Sequence, residues 1–210
     1  MTYLISILIP TLIERLDEYN TMIKGLYDQI DKHGLKDQIE IISICDNRSI
    51  PLSMKRNMMQ KMSSGKYFTH CDDDDSFSCD YCETIINHIQ GLDKDYDIIG
   101  YNQLAKVSGS RFIVKPHLDA GLSLQPSGNQ YNPDMTIKKD VIPEFYRFPW
   151  QYCLFNERFK EVYRTDSDTN AREDQNWLKK VMLEYPKDMS YIDFIGHTYN
   201  FDDPSKSTCQ

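Results

Sequence analysis

The fold is decided by a short, largely apolar segment, Tyr67-Phe-Thr-His-Cys71, that runs directly into four consecutive aspartates, Asp72 to Asp75. The segment predicts a buried β-strand, and ligands of open α/β sheets bind at the carboxyl ends of strands. Four carboxylates at one point repel one another unless a cation or water neutralises them. Because Mg²⁺ and Mn²⁺ prefer carboxylate oxygens, the stretch indicates a metal-dependent ligand site, with a solvated acidic turn as the alternative.

Strand and helix patterns alternate on both sides of this stretch. Apolar runs predict further strands at 4–9, 39–45, 97–105, 111–114 and 191–201, and helical spacing predicts helices at 16–32, 52–64, 78–90 and 172–184. This alternation predicts an α/β fold with a mostly parallel central sheet flanked by helices. At 210 residues, we expect a single domain spanning 1–210.

Two local patterns give more detailed expectations. Thr11-Leu-Ile-Glu14 has the form of a capping box, which predicts Thr11 as the cap of the first helix. Met54, Met58 and Met62 recur on one side of the second predicted helix. Methionines with this spacing predict core packing.

The composition excludes several classes of protein. The chain has 24 basic and 32 acidic residues, a net charge of -8 and a pI near 5.1. This balance argues against a nucleic-acid binder and against an anchor for anionic membranes. No apolar run approaches the length of a membrane span, and the N-terminal run lacks a basic leader. We therefore expect a cytoplasmic protein whose six cysteines are reduced thiols.

Further motifs follow one another in a characteristic order. The first strand ends in Ile9-Pro10-Thr11, the second ends in Cys45-Asp46-Asn47, and Lys55-Arg56-Asn57 opens a helix. After the Asp run, Arg172-Glu173-Asp174 begins a late helix and His197-Thr-Tyr199 lies near the end. Together, these motifs resemble the family 2 glycosyltransferases of the GT-A fold, and the resemblance extends from Ile5 to about Ser207.

The resemblance implies an enzyme that moves a hexosyl or N-acetylhexosaminyl group from a nucleoside-diphosphate donor, with a UDP-sugar favoured, to a hydroxyl group of a glycan or protein. It implies inversion, a nucleotide-sugar-binding half at 1–105, an acceptor and catalytic half at 106–210, and a segment with Lys206 and Ser207 that closes over the donor phosphates. The residues implied to contact the donor are Pro10, Thr11, Asp46, Arg56, Asp72 and Asp73. The implied ligands of Mn²⁺ or Mg²⁺ are Asp74, Asp72 and His197.

The predicted general base is Asp174, with Glu173 beside it. An inverting transfer needs a base to take the proton of the acceptor hydroxyl, and the resembling family supplies it from a Glu-Asp pair on a late helix. Acidic residues in a first helical turn also favour the helix dipole, which is the structural alternative. Trp150, Tyr152 and Phe155 are candidates to stack on a sugar ring, with core packing as their alternative.

Two other functions fit parts of the pattern. A haloacid-dehalogenase-type phosphatase also places a D-x-D motif after a strand, and Asp72-x-Asp74-x-Ser76 comes close to it. In that class, however, the motif usually closes the first strand, whereas two strands precede it here. The non-enzymatic alternative is a degenerate GT-A domain that binds a nucleotide sugar or a glycan without transferring it.

Overall fold

The computed structural model describes residues 3–127, 141–164, 173–184 and 187–201. Its helices are α1 (Leu16–Lys32), α2 (Leu52–Met62), α3 (Tyr81–Gln90) and α4 (Glu173–Glu184). Its strands are β1 (Ile5–Leu12), β2 (Ile39–Asp46), β3 (Tyr67–His70), β4 (Ser76–Phe77), β5 (Ile98–Val107), β6 (Ser110–Pro116), β7 (Gln125–Pro126), β8 (Glu144–Arg147), β9 (Leu154–Asn156) and β10 (Met189–Phe201).

Within the described ranges, these strands form one mixed sheet. The order is β2-β1-β3-β9-β5-β6-β8-β7, and β10 pairs with β5 and β4. The parallel pairings include the longest ones, with eight residue pairs between β1 and β2 and ten between β5 and β10. The antiparallel pairings span only two to five residue pairs. The predicted α/β fold with a mostly parallel sheet and flanking helices is therefore confirmed.

The hydrophobic core lies around β1 and β3, which are buried along their whole length. Helix α1 buries Met22, Leu26 and Ile30, whose four-residue spacing gives the helix one apolar side. Trp177 of α4 packs edge-on against Phe68 and Phe155. In the part of the chain that the structure describes, no helix is both long and apolar enough to cross a lipid bilayer.

The predicted capping box at Thr11 is wrong. Thr11 belongs to β1, and a short 3-10 turn, Ile13–Arg15, separates that strand from α1. No side chain caps this turn at Leu12. The Thr11 hydroxyl donates instead to Asp73, across 62 residues of sequence. A tertiary hydrogen bond has thus replaced the local one that the pattern predicts.

The predicted core packing of the methionines on α2 is also wrong. The exposed fractions of Met54, Met58 and Met62 lie between 43% and 60%. The inward side of α2 carries mostly polar residues, among them Arg56 and Gln60, both buried. Helix α2 therefore serves to bring polar side chains to the interior, which a count of apolar residues does not reveal.

Candidate active site

Three neighbouring strands bring the predicted donor-binding residues to one edge of the sheet. β2, β1 and β3 are parallel, so their carboxyl ends lie side by side. Thr11 Oγ1 donates to Asp73 Oδ2 at 2.7 Å, which ties the end of β1 to the loop after β3. Pro10 is buried within β1 opposite Ile44 of β2.

Asp46 at the end of β2 is held in place by several donors. Lys55 Nζ lies 2.5 Å from Asp46 Oδ1 and 2.9 Å from the Thr11 carbonyl oxygen. The other carboxylate oxygen accepts from the backbone N–H of Ile50 at 2.6 Å and from Ser49 Oγ at 3.2 Å. Burial alone would raise the pKa of Asp46, but the hydrogen bonds from Lys55 and Ile50 outweigh it and leave the pKa below its usual value. Asp46 is thus an ionised, fixed carboxylate.

The middle of the Asp run is paired with Arg15. Arg15 Nη2 lies 2.8 Å from Asp73 Oδ1 and 2.5 Å from Asp74 Oδ2. Burial raises the pKa of Asp73 to about 6, and burial together with repulsion from Asp72 and Asp75 raises the pKa of Asp74 to about 6. One guanidinium therefore does not neutralise this loop, and the carboxylates favour further positive charge. Arg15 was not identified from the sequence, because nothing in its local pattern distinguishes it.

The same carboxylates form one wall of a cavity of about 530 Å³ on the α1 side of the loop. Met22, Leu26 and Phe77 contribute its apolar surface. Asp73 to Asp75 line it together with Asn200 of β10, whose side chain donates to the Asp74 carbonyl oxygen at 3.2 Å. The Asp run therefore borders open space.

Arg56 joins the Asp run to the predicted catalytic helix. Arg56 Nη2 lies 2.5 Å from Asp72 Oδ1, and Arg56 Nη1 pairs with Glu173 at the start of α4. The other oxygen of Glu173 lies 2.8 Å from Arg164 Nε. The side chains of Arg56, Glu173 and Arg164 are exposed by only 3%, 1% and 0%, so the interior holds one carboxylate between two guanidinium groups. Arg164 was not predicted from the sequence.

Arg164 also contacts two polar side chains behind the site. Its Nη1 hydrogen bonds with Gln60 Oε1 and lies 3.2 Å from His70 Nε2. Burial and the charge of nearby Arg56 lower the pKa of Arg164 well below its usual value. Burial and both arginines lower the pKa of His70 in the same way. Arg164 Nη2 is buried and has no hydrogen-bond partner among the residues that the structure describes.

Asp174, the predicted base, has different surroundings from Glu173. It lies in the first turn of α4 and is partly exposed. One of its oxygens accepts from the backbone N–H of Gln175 at 2.7 Å. Within the described residues it forms no ion pair, although its charge acts on both Arg147 and Arg164. Of the two adjacent carboxylates, Asp174 is the one with an oxygen that pairs with no group of the described residues.

His197 of β10 is packed against the end of the Asp run. Its Nε2 lies 3.2 Å from Asp75 Oδ2 and 3.7 Å from Cys71 Sγ, and its Nδ1 lies 3.0 Å from Gln103 Nε2. The Tyr152 ring stacks on the imidazole with centroids 5.2 Å apart. The ligand atoms of Cys71, Asp75 and His197 all lie within 4.8 Å of one another, a spacing that suits a metal ion. This buried group contains neither Asp72 nor Asp74, so a shared metal site of His197 with them stays a prediction.

The three aromatic candidates for sugar stacking differ in their burial. Tyr152 and Phe155 are fully buried in the core, so they cannot present a ring face to a sugar. Trp150 is partly exposed, and the guanidinium carbon of Arg147 lies 3.5 Å from its ring centroid. Arg172, Lys206 and Ser207 lie outside the described residues.

Arg147 lacks a counterion in the part of the chain that the structure describes. Its Nε is buried and makes no hydrogen bond to a described residue, and none of the described carboxylates pairs with it. Burial lowers the pKa of its guanidinium, and interactions with Tyr152 and Asp174 only partly offset this effect. Arg147 as a whole is only partly buried, so water still solvates part of its guanidinium. The cation–π contact with Trp150 contributes about 0.5–2 kcal/mol.

No protein-family model matches this chain, and neither does any curated protein sequence. Its structure is similar to that of S. aureus TarS 1–349, with a TM-score of 0.55 and 13% identity over 93% of this chain and 60% of that one. The complex of TarS 1–349 with UDP-GlcNAc matches with a TM-score of 0.54 and 13% identity over 92% of this chain and 57% of that one. The complex of TarS 1–349 with UDP matches with a TM-score of 0.55 and 13% identity over 92% of this chain and 59% of that one.

These likenesses show a shared fold. The chain spans about 60% of the length of TarS 1–349, and the matched part is a GT-A-like arrangement of a mixed, mostly parallel sheet with flanking helices. The fold class that the sequence predicted is therefore confirmed. Membership of family 2 stays a prediction, since 13% identity is too low to distinguish families that share a fold.

Proposed function

We propose that this chain is a glycosyltransferase that moves a sugar from a nucleoside-diphosphate donor, with a UDP-sugar favoured, to a hydroxyl group of a glycan or protein. One observation carries the proposal: the Asp run lies beside Thr11 at the carboxyl ends of parallel strands and is linked through Arg56 and Glu173 to the available carboxylate of Asp174. The complexes of TarS, which has the same fold, with UDP-GlcNAc and UDP support a nucleotide-sugar ligand.

The two halves of the chain contribute different parts of this site. Residues 1–105 supply the donor contacts, which we assign to Pro10, Thr11, Asp46, Arg56, Asp72 and Asp73. Residues 106–210 supply the acceptor surface and Asp174. The ion pair between Arg56 and Glu173 joins the halves, because its partners lie 117 residues apart in the sequence. A shift of α4 would therefore displace Arg56, which also pairs with Asp72.

The carboxylates of the Asp run fit a hard divalent cation. Asp72 and Asp74 have side-chain exposures of 36% and 30%, and they offer the oxygen donors that Mg²⁺ and Mn²⁺ prefer. Burial, together with repulsion from Asp72 and Asp75, raises the pKa of Asp74, and a bound cation would favour its ionised form. We assign Asp74 and Asp72 as ligands, with His197 as the third. When bound, the ion supplies Lewis-acid stabilisation of the departing diphosphate.

Proton transfer is assigned to Asp174. As the acceptor oxygen bonds to the anomeric carbon and the bond from that carbon to the diphosphate breaks, the hydroxyl proton passes to the Asp174 carboxylate. Attack from the side opposite the leaving group gives inversion. Glu173 has both oxygens against guanidinium groups, so we assign it the positioning of Arg56 and the first turn of α4.

Binding without transfer is the second candidate function. Arg15 and Arg56 already pair with Asp72, Asp73 and Asp74, so an added cation has to compete with guanidinium groups of the chain itself. A domain that holds a nucleotide sugar without metal would have the same internal pairs. The two candidates differ in metal dependence and in product formation.

Thermal unfolding with nucleoside diphosphates and their sugars, with and without Mn²⁺, tests the proposal. A ligand at about a hundred times its dissociation constant adds roughly 2.7 kcal/mol to the stability of the native state. We expect stabilisation by one nucleotide series only with Mn²⁺, and loss of this dependence in Asp74→Asn but not in the exposed Asp28→Asn control. Release of free nucleoside diphosphate that depends on an added hydroxyl acceptor then distinguishes transfer from binding. Absence of stabilisation by every nucleotide would exclude both candidates and direct the search to phosphatase substrates.

A further inference from the structure

The second half of the site contains a positive charge that the proposed reaction does not use. Arg147 ends β8, and its guanidinium carbon lies over Trp150 at 3.5 Å from the ring centroid. Its Nε is buried without a hydrogen bond, and no carboxylate of the described residues pairs with it. Every other buried or half-buried arginine whose charge the site section describes, Arg15, Arg56 and Arg164, lies against at least one carboxylate.

Arg147 lies on β8, in the half of the chain to which the acceptor surface is assigned. After burial, the groups that act most on its pKa are Tyr152 and Asp174, the assigned base. The donor contacts assigned above come from β1, β2 and the loop after β3, where Arg15 and Arg56 already face the carboxylates. The diphosphate therefore does not account for Arg147.

We propose that the substrate carries an anionic group in addition to the donor diphosphate, a carboxylate or a phosphate, and that Arg147 binds it beside Trp150. This inference rests on the proposed transferase function. A guanidinium presents a planar fork of donors that matches a carboxylate or phosphate in a bidentate contact. Trp150 contacts the guanidinium carbon, and we assign the anion to the guanidinium nitrogens away from that ring.

The anion can belong to the transferred sugar or to the acceptor, and matched probes separate these sources. UDP-glucuronate against UDP-glucose tests a carboxylate on the donor sugar. Glucuronate and glucose 6-phosphate against glucose, added to protein with UDP and Mn²⁺, test an anion on the acceptor. Binding is measured by calorimetry for the unaltered protein, for Arg147→Gln, for Arg147→Lys and for Arg111→Gln, an exposed arginine of β6 that serves as the control.

We expect one charged probe to bind about 10- to 100-fold more tightly than its neutral counterpart, since a hydrogen bond to a charged group is worth this much. Arg147→Gln should abolish the preference, Arg147→Lys should reduce it, and Arg111→Gln should preserve it. Equal affinity of the unaltered protein for charged and neutral probes would overturn the proposal, whether or not the variants fold. So would a preference that survives Arg147→Gln. If no UDP compound binds but free glucuronate or glucose 6-phosphate still shows the preference that depends on Arg147, the transferase function fails and the anion site stands.

Discussion

Glu173→Gln tests the buried ion pairs that hold the catalytic helix. Glutamine has nearly the same shape as glutamate, so the substitution removes a charge without opening a cavity. Arg56 keeps Asp72 as a partner, but Arg164 loses the one carboxylate with which it pairs among the described residues. All three side chains are almost fully buried, and breaking such a pair from one side costs about 3–5 kcal/mol. We expect the free energy of unfolding to fall by this amount.

Urea unfolding of Glu173→Gln and of Glu184→Gln measures the effect on the same helix. Glu184 is exposed at the opposite end of α4, and its substitution should change stability by less than about 0.5 kcal/mol. Replacing Arg164 with methionine in the Glu173→Gln background should restore much of the loss, because it removes the uncompensated charge. Stability of Glu173→Gln within about 1 kcal/mol of the Glu184→Gln control would refute the reasoning, since three buried charges would then be worth no more than one exposed charge.

Three further predictions concern the base, the Asp run and the backbone. Asp174→Asn should lower the rate of transfer about 10²- to 10⁴-fold and leave the dissociation constant of the donor nearly unchanged; comparable transfer would remove Asp174 as the base. The pKa of Asp74 is about 6 in the fold and 3.8 for a free side chain, so the native state retains a proton that the unfolded chain releases. Ionisation of Asp74 therefore lowers the stability of the native state as pH rises from about 4 to 6. Asp74→Asn, unable to ionise, should therefore gain stability relative to the metal-free native protein across that window, and urea unfolding at both pH values should show a growing difference; a constant difference would contradict the raised pKa. Gly65→Ala should destabilise the protein by about 1–3 kcal/mol, because a Cβ there would lie 2.6 Å from the backbone nitrogen of Ser6. Gly25→Ala in α1 meets no atom within 4 Å and should stabilise the protein by about 0.5–1 kcal/mol. Thermal unfolding that ranks the two variants in the opposite order would show that β1 can move away from the added methyl group.

Hydrophobic periodicity correctly predicted the strands and helices that bury an apolar side. The run at 4–9 is β1 (Ile5–Leu12), and the helix predicted at 172–184 begins at Glu173 and ends at Glu184. The placement of the Asp run followed from the same reasoning, because a charged segment directly after a buried strand has to emerge at the edge of the sheet. Alternation of strand and helix then sufficed for the fold class.

Contacts between segments that lie far apart in the sequence could not be predicted from it. Arg15 and Arg164 have no motif of their own, and their partners Asp73 and Glu173 are identified only by the fold. The three residues of β9 are too few to show a period, so its antiparallel insertion was not predicted. In each case, the partner of a residue depends on how elements pack, and a pattern confined to one element does not contain that information.

The position of β9 has a consequence for the growing polypeptide. It is the strand through which β3 pairs with β5 in the described sheet, yet it is synthesised after both of them. At translation rates of about 5–20 residues per second, the ribosome needs roughly 2–10 s to pass from the end of β5 to the end of β9. During that interval the facing edges of β3 and β5 lack their common partner. An unpaired strand edge can recruit another chain, so this stage of synthesis is when the protein most needs protection from aggregation.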